Sequence, residues 1–264
     1  MASIYVGGVD VETLGFYPAD APDYLSRSDI EVVSVVVPGR PGRLSTNVRN
    51  IDAKTFAIRG AVRGADITTN RASLRTIHNL FGGGDLVMVK LTDVTDVQIQ
   101  ARCRSVRVVP PDGALIVPRL MVEATFVADY PFWQAVTPTS VNLTGSYAAL
   151  PMGSAPCYVT WTINTCTNPT LTIKDSTGAV VLTVTLTTTI AAGDIRKIIG
   201  SENRITKRIS GVTTQDDTLL TSGTFPRELK REWAVYSTSS WATAALSATA
   251  GTPTGTADYS PCYW

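Results

Sequence analysis

Chemistry-bearing residues are scarce in this sequence. There is one histidine, His78, so any Ser–His–Asp or Cys–His device has a single candidate base. The four cysteines, Cys103, Cys157, Cys166 and Cys262, include no C-x-x-C pair, which removes a zinc ribbon. One histidine and four dispersed thiols do not make a metal-ligand set, so no catalytic, cofactor-binding or metal residue is assigned. There is no G-x-x-x-x-G-K-[ST], and no G-x-G-x-x-G follows a strand pattern. Gly82-Gly83-Gly84 comes after a helical pattern instead of before one, so it cannot present a helix N-terminus to phosphate. No run is long and apolar enough to span a bilayer, because residues such as Thr183 and Thr185 interrupt each candidate. The segment Met1-Ala2-Ser3-Ile4-Tyr5-Val6 lacks the basic and apolar regions of a secretory signal. Formal net charge is +1, from 23 basic and 22 acidic residues, which removes the global basic character of a nucleic-acid binder.

Charge itself is missing from one long stretch. Between Asp129 and Asp194 only Lys174 and Asp175 are ionised. The change falls at Ala128-Asp129-Tyr130-Pro131-Phe132-Trp133, a proline flanked by aromatics. Such a shift predicts two domains of different construction, with Tyr130, Pro131, Phe132 and Trp133 as the interdomain joint. The expected division is 1–133, a connector at 134–153, and 154–264.

What is abundant is Thr, Val, Gly and Pro, a composition of strands and turns. In the first part, Ile4–Val6 reads as a strand. Ile30–Val37 is β-branched at most positions and reads as a buried or interface strand. Phe56, Ile58, Gly60 and Val62 alternate with Ala57, Arg59, Ala61 and Arg63, which is a half-buried strand. Asp85–Leu91 is another. Val97, Ile99, Ala101 and Cys103 repeat the alternation, as do Leu120, Val122, Ala124 and Phe126. Pro110-Pro111-Asp112-Gly113 reads as a turn between them. One helix is predicted at Arg71–Phe81, capped by Thr69 or Asn70, with Leu74, Ile77 and Phe81 on one stripe. These elements make an α+β domain, a curved antiparallel sheet resembling a split barrel with one helix against it.

The second part shows short strands at close intervals: Cys157–Ile163, Leu171–Lys174, Ala179–Leu186, Ile195–Ile199, Arg204–Ile209, Glu232–Tyr236 and Asp258–Trp264. Asn168-Pro169, Ser176-Thr177-Gly178 and Ala192-Gly193-Asp194 are the turns. Val180, Leu182, Val184 and Leu186 are expected to share an inward face. The pattern predicts an antiparallel sandwich or jelly roll, so the chain as a whole is mainly β. Free, mostly buried thiols are expected, with a Cys157–Cys262 bridge as the alternative.

Two sets of residues invite a functional reading. Val36, Val37, Gly39, Arg40, Gly42 and Arg43 surround a loop in which the glycines would let an arginine approach a neighbouring subunit closely. Trp233 and Trp241 could offer rings to a sugar, against the commoner role of tryptophan in a core or interface. His78 on its helix is better explained by packing or a solvated surface. Asp216 and Asp217, which with Glu228 could imitate a glycosidase pair, read as a solvated loop.

Three landmarks occur in order. They are Val36-Val37-Pro38-Gly39-Arg40-Pro41-Gly42, then Phe126-Val127-Ala128-Asp129-Tyr130-Pro131-Phe132-Trp133, then a β domain. That domain carries Asn168-Pro169, Ser176-Thr177-Gly178, Ala191-Ala192-Gly193-Asp194 and Gly223-Thr224-Phe225-Pro226, and ends in the aromatic Tyr259–Trp264. In this the chain resembles the distal tail proteins of long-tailed bacteriophages. The resemblance implies an N-terminal belt domain and a C-terminal galectin-like sandwich. It implies a virion protein of the tail tip, made in the host bacterial cytoplasm and without enzymatic activity. Its copies would close into a ring, usually a hexamer. The ring would join the tail tube protein to the baseplate hub or tip protein and let DNA pass through its bore. Peripheral fibre or receptor-binding proteins would attach outside, with no membrane insertion and no cofactor. A carbohydrate-binding adhesin is the alternative.

Overall fold

A computed structural model describes residues 3–19, 30–36, 43–51, 53–82, 84–92, 96–109, 119–216, 220–222, 225–226, 228–230, 233 and 240–263. The strands at 30–36 and 43–51 are described by their backbone. The fold separates into two compact units, one ending at Val136 and one running from Thr137 to Tyr263.

The first unit contains β1 (Ser3–Val6), β2 (Val9–Asp10), β3 (Phe16–Pro18), β4 (Ile30–Val36), β5 (Arg43–Ile51), β6 (Lys54–Arg63), α1 (Ile67–Gly82), β7 (Leu86–Thr92), β8 (Val97–Val109), β9 (Arg119–Ala128) and β10 (Trp133–Ala135). Its main sheet is antiparallel with strand order β2-β1-β7-β8-β9-β6-β3, and β10 pairs with β8. The longest ladder joins β6 to β9, from Lys54 opposite Ala128 to Arg63 opposite Arg119. Period two decides which side of these strands is dry. Phe56, Ile58 and Val62 on β6 and Val122, Ala124 and Phe126 on β9 are buried, whereas Thr55, Arg59 and Arg63 are exposed. Ile77 and Phe81 of α1 belong to the same core. A chain of aromatic contacts runs through it. Phe16 meets Phe81 at 6.1 Å, Phe81 meets Phe126 at 5.6 Å, Phe126 stacks on Phe56 at 5.5 Å, and Phe56 meets Trp133 at 5.3 Å. Edge and offset geometries of this kind add a small directional term to ordinary apolar burial.

The helix begins a turn earlier than the sequence suggests. Its cap is Asp66, whose Oδ1 accepts from the Thr69 N–H at 2.7 Å, instead of Thr69 or Asn70. A carboxylate beside free N–H groups at a helix start is favourable, and these hydrogen bonds hold the Asp66 carboxyl below its ordinary range. Gly60 sits at a close crossing. A Cβ there would lie 2.5 Å from the Tyr17 carbonyl and 2.6 Å from Phe16, so β3 can pair with β6 only across a glycine.

The second unit contains β11 (Thr139–Leu143), β12 (Ala148–Ala149), β13 (Cys157–Ile163), β14 (Cys166–Thr167), β15 (Thr170–Lys174), β16 (Val180–Leu186), β17 (Thr189–Ile190), β18 (Ile195–Ile199), β19 (Arg204–Ile209), β20 (Val212–Gln215), β21 (Leu220–Ser222), β22 (Glu228–Leu229), β23 (Thr243–Ser247), β24 (Gly255–Tyr259) and β25 (Cys262–Tyr263). Two antiparallel sheets form, in the orders β11-β24-β13-β18-β19-β20 and β12-β23-β15-β16-β21. Alternation is cleanest on β13, where Cys157, Val159, Trp161 and Ile163 are buried and the residues between them are half-buried. Trp161 is fully buried, and its indole N–H donates to the Pro226 carbonyl at 3.0 Å. Burial of so large a ring is tolerated because its polar group finds a partner.

Three expectations are corrected. Residues 134–153 are not a connector: β11 pairs along its whole length with β24, and β12 pairs with β23, so this polar stretch supplies a strand to each sheet. Its polar character reflects one exposed face, not a missing one. On β16 the inward row holds at Val184 and Leu186 but fails at Val180, which is 57% exposed. An irregularity in the β15 pairing at Ile173 and Lys174 shifts the register there, and one residue of slip moves a side chain to the opposite face. The expected final strand Asp258–Trp264 is two strands, β24 and β25, separated at Ser260 and Pro261. The turn at 110–113 lies outside the described residues. So does most of the strand expected at 232–236, within which Trp233, the described residue, has 3-10 helical rather than strand backbone.

The turns at Ser176-Thr177-Gly178 and Ala192-Gly193-Asp194 are present, with φ of 87° at Gly178 and 86° at Gly193. Asp175 Oδ1 accepts from the backbone N–H of Thr177 and Ala179 and from the Thr177 hydroxyl, fixing the first of them.

Candidate functional site

Neither a catalytic constellation nor a ligand cradle assembles from the described side chains. His78 is exposed on α1. No three His, Cys, Asp or Glu side chains among the described residues come together as a metal site. Asp216 is engaged by Lys207 Nζ at 2.6 Å, and Asp217 lies outside the described residues. No helix among the described residues is long and apolar enough to cross a membrane. Two surface features stand out among the described residues.

The first such surface is a hairpin. Strands β4 and β5 pair only with each other among the described residues, from Ile30 opposite Ile51 to Val36 opposite Arg43, with an irregularity between Val32 and Ser34. They form a two-stranded sheet separate from the main one. An isolated two-stranded ribbon is marginal in water, and an apolar strand such as Ile-Glu-Val-Val-Ser-Val-Val gains stability only when further surface covers it. Of the residues singled out for subunit contact, two fall on this hairpin. Val36 and Arg43 form its last described pair, and Val37, Gly39, Arg40 and Gly42 lie outside the described residues. Nothing in the sequence marks Arg43–Ile51 strongly as a strand, because Asn and Arg interrupt it; only the pairing with β4 identifies it. Arg59 makes a solvated pair with Glu123 at 3.1 Å, and Arg63 lies 5.6 Å over the Tyr17 ring.

The joint residues occupy the first unit. Phe132 and Trp133 are buried, Tyr130 meets Phe132 edge-on at 5.1 Å, and Trp133 closes the aromatic chain described above. The aromatic signal at 130–133 therefore marks core packing as well as a change of composition.

The tryptophans proposed for sugar stacking are placed differently from each other. Trp233 is only 8% exposed, at the side of a concavity of about 370 Å³ shared with Phe225, Asn203, Glu228 and Lys230. Trp241 is half-buried and is not among the residues lining that hollow. Stacking needs an open ring face, and Trp233 offers little of one.

A second concavity of about 300 Å³ lies on the outer face of β18, β19 and β20. Ile195, Lys197, Ile199, Arg204, Thr206 and Arg208 line it, with Gly211 and Thr213 at its margin. The sequence pattern gives little sign of it, because all four residues of β20 are exposed and show no alternation. The dipeptide Ser210-Gly211 between two β-rich runs is the signal that marks it. Both residues have positive φ, 49° and 86°, as a tight two-residue hairpin turn requires.

The four cysteines are free thiols, with Cys157, Cys166 and Cys262 buried and Cys103 partly so. The Cys157 thiol is pushed up strongly, first by its hydrogen bond with Cys262 and then by burial. Burial likewise raises the thiols of Cys103 and Cys166.

No protein-family model and no curated protein matches this sequence. Solved structures do. The crystal structure of SPP1 Dit, described as a paradigm of the hub adsorption apparatus in phages infecting Gram-positive bacteria, superposes with a TM-score of 0.72 at 16% identity, covering 100% of both chains. The chain has the Dit fold. A chain of the phage p2 baseplate in its activated conformation is matched at 9% identity over 98% of each chain, with a TM-score of 0.46. The Dit fold accounts for both units at once: a mainly β chain, one helix, a curled sheet and a sandwich.

Proposed function

We propose that this protein is a structural component of a long-tailed phage tail tip, whose copies close into a ring, usually of six. Full-length agreement with the fold of SPP1 Dit is the observation that carries this reading. The hairpin β4–β5 supports it physically. A ring needs one surface that meets a different surface of the next copy, repeated about an axis. A two-stranded ribbon whose first strand is apolar, and which pairs with no other described strand, supplies such a surface, and pairing between subunits would cover its edges. In this reading Val36, Val37, Gly39, Arg40, Gly42 and Arg43 contact the neighbouring subunit. The ring joins the tail tube protein to the baseplate hub or tip protein, DNA passes through its bore, and the sandwich carries peripheral components. The protein acts by assembly and not by catalysis, in the virion, after synthesis in the bacterial cytoplasm. The domains are a ring-forming unit and a β-sandwich unit.

Light scattering and negative-stain imaging of the purified protein, and of labelled protein in assembled tails, test this directly. Closed rings centred on the tail axis are expected. A strictly monomeric protein at high concentration, together with label off the axis, would remove the proposal. Replacing Gly39 and Gly42 by valine is expected to abolish rings while leaving the thermal transition of the sandwich in place. Rings that persist in this variant would rule out the loop contact.

A further inference from the structure

The bridge considered between Cys157 and Cys262 is not closed, yet the fold brings its two ends together. Cys157 opens β13 and Cys262 opens β25, and their exposures are 0% and 1%. The Ala155 N–H donates to the Cys262 carbonyl at 2.9 Å, and these two residues form an isolated antiparallel bridge. Cys157 stands two residues beyond Ala155. Ala155 and Cys157 are buried and Pro156 between them is half-buried, the alternation of extended backbone. Cys157 therefore shares the face of Ala155 and is the diagonal neighbour of Cys262. Gly153 lets the two segments approach, since a Cβ there would lie 1.9 Å from the Cys262 carbonyl oxygen. The two thiols are in hydrogen-bond contact with each other. Diagonal neighbours have Cα atoms roughly 7 Å apart and Cβ atoms closer, at the outer end of what a disulfide spans. The other two thiols are engaged elsewhere, Cys103 with the Ser105 carbonyl and Cys166 with that of Asn164.

Burial selects the chemistry open to this pair. Glu228, Tyr259 and Tyr263 are the ionisable groups that interact with it, and none carries a positive charge that would favour a thiolate. Neither sulfur is thus activated as a lone nucleophile, and a bulky reagent cannot reach it. An oxidant the size of water can, when the structure opens locally. With hydrogen peroxide, a thiolate attacks one oxygen, the O–O bond breaks, and a sulfenic acid and hydroxide form. The second sulfur, already in contact, then attacks the first. An S–S bond forms, and the sulfenic oxygen leaves as water. In sum two thiols and one peroxide give one disulfide and two waters; the sulfurs are oxidised and the peroxide oxygens reduced. Contact between the sulfurs favours this closure over further oxidation to a sulfinic acid.

We propose that Cys157 and Cys262 are a redox-responsive dithiol, which peroxide converts into an intrachain disulfide that fastens β25 to β13 and stabilises the sandwich. The bond would close a loop of about a hundred residues, and constraining so long a segment of the unfolded chain raises stability. A protein made in a reducing cytoplasm and used outside it would hold the thiols first and the bond later. That timing rests on the function proposed above; the chemistry of the pair does not.

The test uses the full chain with Cys103→Ser and Cys166→Ala, so that only this pair remains. The folded protein is exposed to hydrogen peroxide, quenched, denatured, alkylated and mapped by mass spectrometry. Both thiols should disappear at one rate, with the peptides bearing Cys157 and Cys262 joined within a monomer. The thermal midpoint of the sandwich should rise by at least about 5 °C and return on adding dithiothreitol. Adding Cys262→Ser should leave Cys157 to stop at sulfenic acid, captured by dimedone, with no rise in midpoint. If the background folds poorly, the unmodified chain gives the same reading, because mapping assigns the bond. Thiols that survive peroxide, a bond between chains or to another cysteine, oxidation of each sulfur independently, or a bond that leaves the midpoint unmoved would each overturn the proposal. A monomeric chain that closes the bond would count against the ring alone, and ringed protein with inert thiols against this inference alone.

Discussion

Single residues decide where this backbone can close on itself. At Gly153 a Cβ would lie 1.9 Å from the Cys262 carbonyl oxygen, and at Gly255 one would lie 2.1 Å from that of Thr162. Such distances require backbone to move. Gly255→Ala should therefore destabilise the sandwich by about 3 kcal/mol, measured by urea denaturation, at the upper end of overpacking costs. Trp161 presents the opposite case, a buried ring whose removal leaves a cavity and an unsatisfied Pro226 carbonyl. Trp161→Ala should cost about 4 kcal/mol in the same measurement. Cys157 makes stability depend on pH. Its folded-state pKa is raised by the hydrogen bond with Cys262 and by burial. The native thiol stays protonated where the unfolded thiol ionises, so its contribution is complete below the unfolded value and is lost as pH rises. Above about pH 8.5 the sandwich should lose up to about 1.4 kcal/mol per pH unit from this group. Denaturation midpoints between pH 7 and 9.5, flatter in Cys157→Ala than in the unmodified protein, would check it.

At the scale of elements, strands were legible where one face is buried and the other is wet. The alternations at 56–63, 97–103, 120–126 and 157–163 survive in the structure because burial imposes period two on them. The helix was legible from its stripe, yet its start was not. Asp66 lies one turn ahead of the apolar pattern, and Ile67-Thr68-Thr69 carries helix without contributing a core residue. Strands with exposed faces gave little signal. β20 has all four residues exposed, and β11 has a single buried residue, Leu143, so neither shows the contrast that alternation needs. Gly211 in the β19–β20 turn offers an element-scale prediction. Its φ of 86° strains any residue with a side chain. Gly211→Val should raise hydrogen exchange across Arg204–Ile209 and Val212–Gln215 while leaving β13 and β24 protected.

At the scale of the whole molecule, the two units have separate cores, one built on a chain of aromatic contacts and the other on the inward rows of two sheets. Calorimetry should accordingly resolve two transitions, with Trp161→Ala lowering one and leaving the other within a degree or two. A single transition that shifts as a whole would show that the units unfold together. Assembly belongs to this scale too. The hairpin β4–β5 pairs with no other described strand, and the apolar sequence of β4 makes sense only with further surface against it.

The sequence by itself determined the class of this protein: mainly β, one helix, few ionisable groups of catalytic type, and a change in construction near residue 130. These follow from composition and local periodicity, which act through neighbours a few residues away. Tertiary structure alone decided what depends on distant partners. It decided that 139–143 is a strand, because Gly255–Tyr259 lies beside it; that Arg43–Ile51 is one, because Ile30–Val36 does; and that Val180 faces water, because a shifted register turned it outward. It also gathered Lys197, Arg204 and Arg208 on one face, since hydrogen-bond register, and not spacing along the chain, fixes which side chains stand together.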